Sequence, residues 1–110
     1  MKVLIISDTH GKSSCLKQIH DIVGDVDMLI HLGDVEGDEK LIHDLFDCEI
    51  HMVRGNCDYN PELPIYDEFN IGDKKAFITH GHRYSVNSGI SYLEELIDLE
   101  GYDFVMYGHT

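Results

Sequence analysis

Cysteine, proline and tryptophan are scarce in this 110-residue sequence, with three, two and no copies respectively. The cysteines exclude more classes of protein than the other two residue types do. Cys15, Cys48 and Cys57 are odd in number and far apart, and no Cys-x-x-Cys pair occurs. Neither a disulfide framework nor a zinc knuckle is therefore indicated. Because this usage is typical of a reducing compartment, we expect the protein to be cytoplasmic.

Positively charged residues are also few. Lys and Arg number 8 against 21 Asp and Glu, which gives a formal net charge of −13 with histidine neutral. Such a chain repels polyanions and lacks the basic surface that general nucleic-acid binding needs, so bulk nucleic-acid binding is not expected. A small phosphate substrate stays compatible with this charge because bound divalent cations reverse the local field. The 8 histidines are suitable ligands for such cations.

Long hydrophobic runs are missing as well. The largely apolar run at residues 1–6 ends at Ser7 and Asp8, far short of a signal-peptide core or a membrane span. We therefore expect neither export nor a membrane anchor. The length and the 43% hydrophobic content suit one small domain over residues 1–110, with one hydrophobic core.

Short apolar runs alternate with amphipathic helical segments along the chain. This alternation predicts a parallel sheet whose ligands collect at the carboxyl ends of the strands. Ser13 or Ser14 can cap the first helix, and Gly72 with Asp73 predicts a hairpin that adds antiparallel pairing. The predicted strands are 2–6, 26–32, 50–53, 66–71, 74–79 and 103–107, and the apolar helix faces are Leu16, Ile19, Ile22 and Val23, then Leu41, Ile42, Leu45 and Phe46, then Ile90, Leu93, Leu96 and Ile97.

Each predicted strand is followed by side chains that can bind metal. Oxygen and imidazole ligands at one edge of a sheet make a mixed site suited to divalent transition metals. The residues in these positions are Asp8 and His10, Asp34, Asn56, His80 and His109. The other histidines, His20, His31, His43 and His51, are interpreted as surface or satisfied core residues.

Five short motifs carry a resemblance to a known family: SDTHG at 7–11, LGD at 32–34, RGNCD at 54–58, THGH at 79–82 and GHT at 108–110. Each is common alone, but their order and placement resemble the calcineurin-like metallophosphoesterases, in particular the compact prokaryotic phosphodiesterase branch. The resemblance spans essentially the whole chain. It implies an α/β fold in which a β-sandwich of mixed sheets is flanked by helices, and an enzyme that hydrolyses phosphate esters, most of all diesters.

The resemblance also implies a dinuclear metal centre. Asp8 and His10 would hold the first ion, Asp34 would bridge both, and Asn56, His80 and His109 would complete the second. The ions would be Mn²⁺ in first place, with Ni²⁺, Fe²⁺ and Zn²⁺ as alternatives. Asp34 and Asn56 would act in catalysis by holding a metal-bound water as the nucleophile of a small phosphate-ester substrate.

The residues around the metal-binding asparagine depart from the wider family. Many members have a histidine where this chain has Cys57, and because a thiol is a poor acid, activity should favour esters with good leaving groups. Asp58 is expected to orient His10 by a hydrogen bond. The predicted substrate contacts are Arg54, Cys57 and His82. For Cys57 a purely structural role is also favoured, because nothing near it in the sequence lowers the pKa of its thiol.

The family's last motif is Gly-His-x-His, and its second histidine would follow Thr110. On this interpretation the chain is a shortened domain that lacks one ligand of the first ion and the closing C-terminal strands. Impaired activity and oligomerisation through an exposed strand edge are then expected.

Two other interpretations stay open. One is a catalytically impaired metal-binding or interaction module of the same fold. The other, a nucleotide-binding α/β domain, is disfavoured because no Gly-rich phosphate loop follows a strand.

Overall fold

A computed structural model describes residues 1–81 and 101–108 of the chain. The predicted third helix and the candidate residues His82 and His109 lie outside these ranges. Within them, no helix is long and apolar enough to cross a bilayer. The elements are β1 (Val3–Ile6), α1 (Ser13–Val23), β2 (Met28–His31), α2 (Glu39–Leu45), β3 (Glu49–Met52), β4 (Tyr66–Ile71), β5 (Lys74–Thr79) and β6 (Phe104–Tyr107).

The first three strands form a parallel sheet in the order β1-β2-β3. Val3 of β1 is in register with Met28 of β2, and Met28 is in register with Glu49 of β3. All four residues of the central strand β2 are buried. The continuous apolar run in the sequence therefore reflects a strand covered on both faces, and the prediction of a parallel sheet is confirmed.

The last three strands form a second sheet in the order β4-β5-β6. The hairpin strands β4 and β5 have the predicted bounds and pair antiparallel, with Tyr66 opposite Thr79 and Ile71 opposite Lys74. Strand β6 pairs parallel with β5 and places Tyr107 beside Thr79. This second sheet is therefore mixed, and both β5 and β6 end at the same edge.

The two sheets pack face to face, and the helices cover the outer face of the first. Leu29 of β2 packs with Leu16 of α1 and Ile42 of α2. Ile30, the next residue along β2, points the other way and packs with Ile78 of β5. This alternation along one strand joins helices, parallel sheet and mixed sheet into three layers, which is the mixed α/β sandwich that the motifs implied.

Two details of helix α1 differ from the sequence prediction. Ile22 was placed on the apolar face but is 83% exposed. At 100° per residue it points about 120° away from Leu16, whereas Ile19 and Val23 stay within about 60° of it. Neither predicted serine caps the helix, which follows Lys12 and has no side-chain cap.

Candidate metal centre

The loops after β1 and β2 run side by side and carry most of the candidate ligands. The Asp8 N–H donates to Gly33 O and the His10 N–H donates to Asp34 O, both at 2.9 Å. These bonds extend the pairing of the two parallel strands beyond their ends. The side chains of Asp8, His10 and Asp34 are thereby held at one edge of the sheet.

The same loops hold their residues in an unusual backbone conformation. Among the described residues, four that are not glycine have positive φ, and all four lie here: Asp8 (55°), His10 (49°), Asp34 (59°) and Glu36 (54°). Asp and His tolerate this left-handed region better than most residues, but each instance still costs conformational energy. Such strain is typical of sites at which side-chain direction matters for function.

Four side-chain atoms converge at the centre of this edge. Asp34 Oδ2 lies 3.7 Å from His10 Nε2 and 3.3 Å from His80 Nε2. Asp8 Oδ1 lies 3.8 Å from each of the same two nitrogens. Ligand atoms bound about 2.1 Å from one ion in tetrahedral geometry are about 3.4 Å apart, so these separations suit metal coordination.

The hydrogen bonds of the two imidazoles direct their Nε2 atoms towards that centre. His80 Nδ1 lies 2.7 Å from Leu32 O, and His10 Nδ1 lies 2.9 Å from Glu36 Oε2. Because both partners are acceptors, each Nδ1 donates a proton, and each ring turns its Nε2 towards the carboxylates. Two imidazole nitrogens and two carboxylate oxygens gathered at one point are a donor set that fits a divalent metal.

Asp34 is the carboxylate shared by both parts of the centre. It is 3% exposed, and it belongs to two sets whose ligand atoms all lie within 4.8 Å of one another: one with Asp8 and His80, the other with His10 and Cys57. Its Oδ1 accepts the Cys57 N–H at 2.8 Å, which leaves Oδ2 towards the imidazoles. Asn56 Oδ1 also reaches the centre, 2.9 Å from His80 Nε2.

Cys57 lies at the centre but as a protonated thiol. Partial burial raises its pKa, and the negative charges of Asp34, Glu36 and Asp58 raise it further. The thiol therefore stays neutral near pH 7 and is not poised as a nucleophile.

Asp58 does not orient His10, contrary to the sequence prediction. Its Oδ2 accepts the N–H groups of Asp34 at 2.9 Å and Gly55 at 2.8 Å, and its Oδ1 accepts the N–H of Glu36 at 2.6 Å. The carboxylate is thus held by three backbone N–H groups from two loops. Glu36 instead supplies the carboxylate that accepts from His10 Nδ1, and no motif in the sequence pointed to it.

Arg54 also differs from its predicted role as a phosphate contact. Its Nε donates to Leu63 O at 3.1 Å, and its Nη2 lies 3.5 Å from Pro61 O. The guanidinium therefore stabilises the 61–64 segment instead of facing the acidic centre.

Two glycines let the surrounding loops approach the centre. A Cβ on Gly55 would overlap the backbone nitrogen and Oδ1 of Asp34. A Cβ on Gly108 would overlap Ser7 Oγ and lie 2.9 Å from Asp8 Oδ2. Strand β6 therefore ends beside Asp8. This is the edge of the sheet at which the sequence predicted His109 as a metal ligand.

His31 lies beneath these loops and is a satisfied core histidine, as the sequence analysis favoured. It is fully buried, accepts the Gly33 N–H on Nδ1 at 3.1 Å and donates from Nε2 to Thr9 Oγ1 at 2.9 Å. Burial lowers its pKa from 6.5 to about 4, so the ring is neutral. It supports Thr9, which lies between two candidate ligands.

The whole chain, residues 1–110, matches the family described as the calcineurin-like phosphoesterase superfamily domain. It is 31% identical over 113 residues to the probable metallophosphoesterase YsnB of Bacillus subtilis, and covers 64% of that protein. It is 34% identical over 128 residues to the phosphodiesterase MJ0936 of Methanocaldococcus jannaschii, and covers 73% of it. In both alignments 100% of this chain is covered.

Solved structures share the fold. A predicted phosphoesterase from Streptococcus pneumoniae superimposes with a TM-score of 0.81 at 29% identity, over 98% of this chain and 61% of that one. Wild-type Vps29 complexed with Zn²⁺, from Entamoeba histolytica, gives a TM-score of 0.80 at 22% identity, over 99% of this chain and 64% of that one. The Vps29 likeness concerns the fold alone. The chain spans less than two thirds of the length of YsnB and of these two structures.

Proposed function

The chain belongs to the calcineurin-like phosphoesterase superfamily, and on that basis we propose that it hydrolyses phosphate diesters at a dinuclear centre of divalent metal ions, Mn²⁺ foremost. Asp8, His10, Asp34, Asn56, His80 and His109 are the proposed ligands. Two such ions, when bound, activate a water and neutralise charge on the phosphate oxygens. The family and the names of the relatives support phosphoester hydrolysis in general.

One observation carries the proposal: the buried Asp34 carboxylate lies between two imidazoles whose Nε2 atoms face it. Its Oδ2 is 3.7 Å from His10 Nε2 and 3.3 Å from His80 Nε2. A buried carboxylate is costly without a positive partner, and divalent ions held by Asp34 together with these imidazoles would supply that charge.

The surrounding residues preorganise this arrangement. The Cys57 N–H fixes one oxygen of Asp34, and Asp58 accepts the backbone N–H of Asp34. Glu36 and the Leu32 carbonyl fix the rings of His10 and His80. Groups held in place before the substrate arrives need little reorganisation during the reaction.

Among residues 1–81 and 101–108, little near the centre could protonate the leaving group. Cys57 is the nearest thiol, and its raised pKa makes it a poor acid at neutral pH. We therefore expect activated esters to react much faster than alkyl esters.

The test is hydrolysis of bis-p-nitrophenyl phosphate by chelator-treated protein, with and without Mn²⁺. We expect turnover only with metal, and a loss of at least about 100-fold in Asp34→Asn, which keeps the shape but not the charge of the side chain. Asp73→Asn is the matched control, since this exposed residue lies in the hairpin turn roughly 20 Å along β5 from His80. Metal-independent turnover, or an active Asp34→Asn, would contradict the proposal.

A second candidate is a metal-binding or interaction module that does not turn over. The raised pKa of Cys57 favours it, because no strong acid is supplied where the thiol lies. It predicts that Mn²⁺ raises the melting temperature without any release of p-nitrophenol. The same protein samples therefore separate the two candidates.

The proposal also covers the cellular location of the protein and its association with other copies of itself. The three free cysteines support the cytoplasm. Oligomerisation through a strand edge stays a prediction, to be checked by the molar mass in solution.

A further inference from the structure

The sulfur of Cys57 lies among the candidate metal ligands. Cys57 Sγ, a ring nitrogen of His10 and a carboxylate oxygen of Asp34 all lie within 4.8 Å of one another. In a tetrahedral site with a metal–sulfur distance of about 2.3 Å and a metal–nitrogen distance of about 2.1 Å, the sulfur and the nitrogen are about 3.6 Å apart. A movement of roughly 1 Å would therefore let all three side chains contact one ion.

The backbone and a neighbouring amide hold the thiol in this position. The Cys57 N–H donates to Asp34 Oδ1 at 2.8 Å, so the residue is fixed beside the carboxylate that the proposed ions share. Asn56 Nδ2 donates to Cys57 Sγ at 3.7 Å, while Asn56 Oδ1 lies 2.9 Å from His80 Nε2. The sulfur therefore already accepts an N–H group, and such a contact stabilises the negative charge of a metal-bound thiolate.

The other two cysteines lack these surroundings. All three thiols are half-buried, but neither Cys15 nor Cys48 belongs to a set of possible metal ligands in the described part of the chain. Cys48 instead packs against the apolar core beneath the helices. The placement of Cys57 is thus specific to its loop, and Cys15 offers a matched control.

We propose that Cys57 is a direct ligand of the ion held by His10 and Asp34, and that this site of nitrogen, oxygen and sulfur takes Zn²⁺ or Co²⁺ in preference to Mn²⁺. The inference rests on the proposed function, because it adds a ligand to the same centre and changes the metal expected at one of its two positions. A soft thiolate suits Zn²⁺, whereas oxygen ligands suit Mn²⁺. The thiolate is the form that binds, so the thiol proton passes to solvent when the ion enters.

Co²⁺ is the probe for a direct bond to sulfur, since a Co²⁺-bound thiolate gives a charge-transfer band in the near ultraviolet that imidazole and carboxylate ligands do not give. Chelator-treated protein titrated with Co²⁺ should develop this band. Cys57→Ser should lack it, Cys15→Ser should keep it, and His10→Ala should need at least about 10-fold more Co²⁺. No band in the wild type, or an unchanged titration in Cys57→Ser or in His10→Ala, would overturn the proposal.

Metal preference is the second measurement, made by isothermal titration calorimetry. Losing a residue that only supports a metal ligand weakens binding by about 10- to 100-fold, and losing a direct ligand should cost no less. Cys57→Ser should therefore lower the affinity for Zn²⁺ by at least about 10-fold but that for Mn²⁺ by less than about 3-fold. Cys15→Ser should change neither. Equal losses for both metals in Cys57→Ser would mean that the substitution only disturbs the loop, and would contradict the assignment.

These measurements need no turnover, so they separate this proposal from the proposed function. If the Co²⁺ band requires Cys57 but no phosphate ester is hydrolysed with Mn²⁺, Zn²⁺ or Co²⁺, the proposed function fails and the assignment of Cys57 stands. If metal-dependent hydrolysis occurs and the band is absent, the assignment of Cys57 fails alone.

Discussion

At the scale of single residues, Glu36 is the least expected member of the centre. It has a positive φ of 54°, and Glu is not a residue that favours this conformation as Asp or Asn does. The conformation brings its carboxylate to His10 Nδ1 and its N–H to Asp58. Two specific contacts therefore accompany the strained backbone, which suggests that the strain serves ligand orientation.

The first prediction concerns this contact. Glu36→Ala removes the acceptor that holds His10 in the correct tautomer and orientation, so we expect Mn²⁺ affinity to fall by about 10-fold or more. Isothermal titration calorimetry on chelator-treated protein measures the affinity directly and does not depend on turnover.

Glu36→Gln is the conservative variant, since its amide oxygen can still accept from Nδ1. It should recover part of the lost affinity, whereas Asp73→Asn should match the wild type. An unchanged affinity in Glu36→Ala would show that His10 is held by other means.

At the scale of elements, the site depends on how the loops after β1, β2 and β3 are joined. Backbone pairing joins the first two loops, and Asp58 joins the second to the third by accepting N–H groups from Asp34, Glu36 and Gly55. Asp58 is 8% exposed, so its bonds form largely out of water. It acts as a brace between loops, not as a partner of one imidazole.

The second prediction tests this brace. Asp58→Asn keeps one acceptor oxygen but sets an NH₂ group against a backbone donor, so we expect the free energy of unfolding to fall by about 2–3 kcal/mol. Urea denaturation of the metal-free protein measures the loss. Mn²⁺ affinity should fall as well, because the Asp34 and Glu36 loop is no longer held.

The exposed Asp73→Asn carries the same change of charge and should shift stability by less than about 0.5 kcal/mol. If Asp58→Asn falls in that same small range, Asp58 does not brace the loops.

At the scale of the whole molecule, the candidate metal centre lies where the layers meet. The loops of the parallel sheet supply Asp8, His10 and Asp34, and the mixed sheet supplies His80 at the end of β5. His31 is buried beneath this junction and bonds to Thr9 and Gly33. Its charge state therefore affects the stability of the fold as well as the support of the loops.

The third prediction is a dependence of stability on pH. The pKa of His31 is about 4 in the folded chain against 6.5 in the unfolded chain. Between these values the unfolded chain binds more protons, so stability falls as the pH falls from about 6.5 to 4, by about 3 kcal/mol for this group. Urea denaturation of metal-free protein across this range should show that loss in the wild type.

His31→Gln removes the titrating group, and its stability curve should lack this component. Parallel curves for the two proteins would contradict the prediction. The ring proton signals of His31 offer a second measurement in the wild type, and they should titrate near pH 4.

The sequence alone determined the order of the elements that the structure describes and the choice of candidate ligands. Short β-branched runs, helical spacing and the Gly72-Asp73 turn are local signals, so the parallel sheet and the hairpin strands 66–71 and 74–79 were predicted well. Asp8, Asp34 and His80 all lie at or shortly after the end of a strand. The carboxyl ends of parallel strands lie at one edge of a sheet, so residues in these positions come close together.

Only the tertiary structure decided which groups contact one another across loops. It assigned Glu36 to His10, turned Asp58 to three backbone N–H groups, directed Arg54 to the 61–64 segment and exposed Ile22. It also placed Cys57 Sγ near the ligand atoms of His10 and Asp34. These outcomes depend on distances between segments far apart in the chain, and no local pattern of residues carries that information.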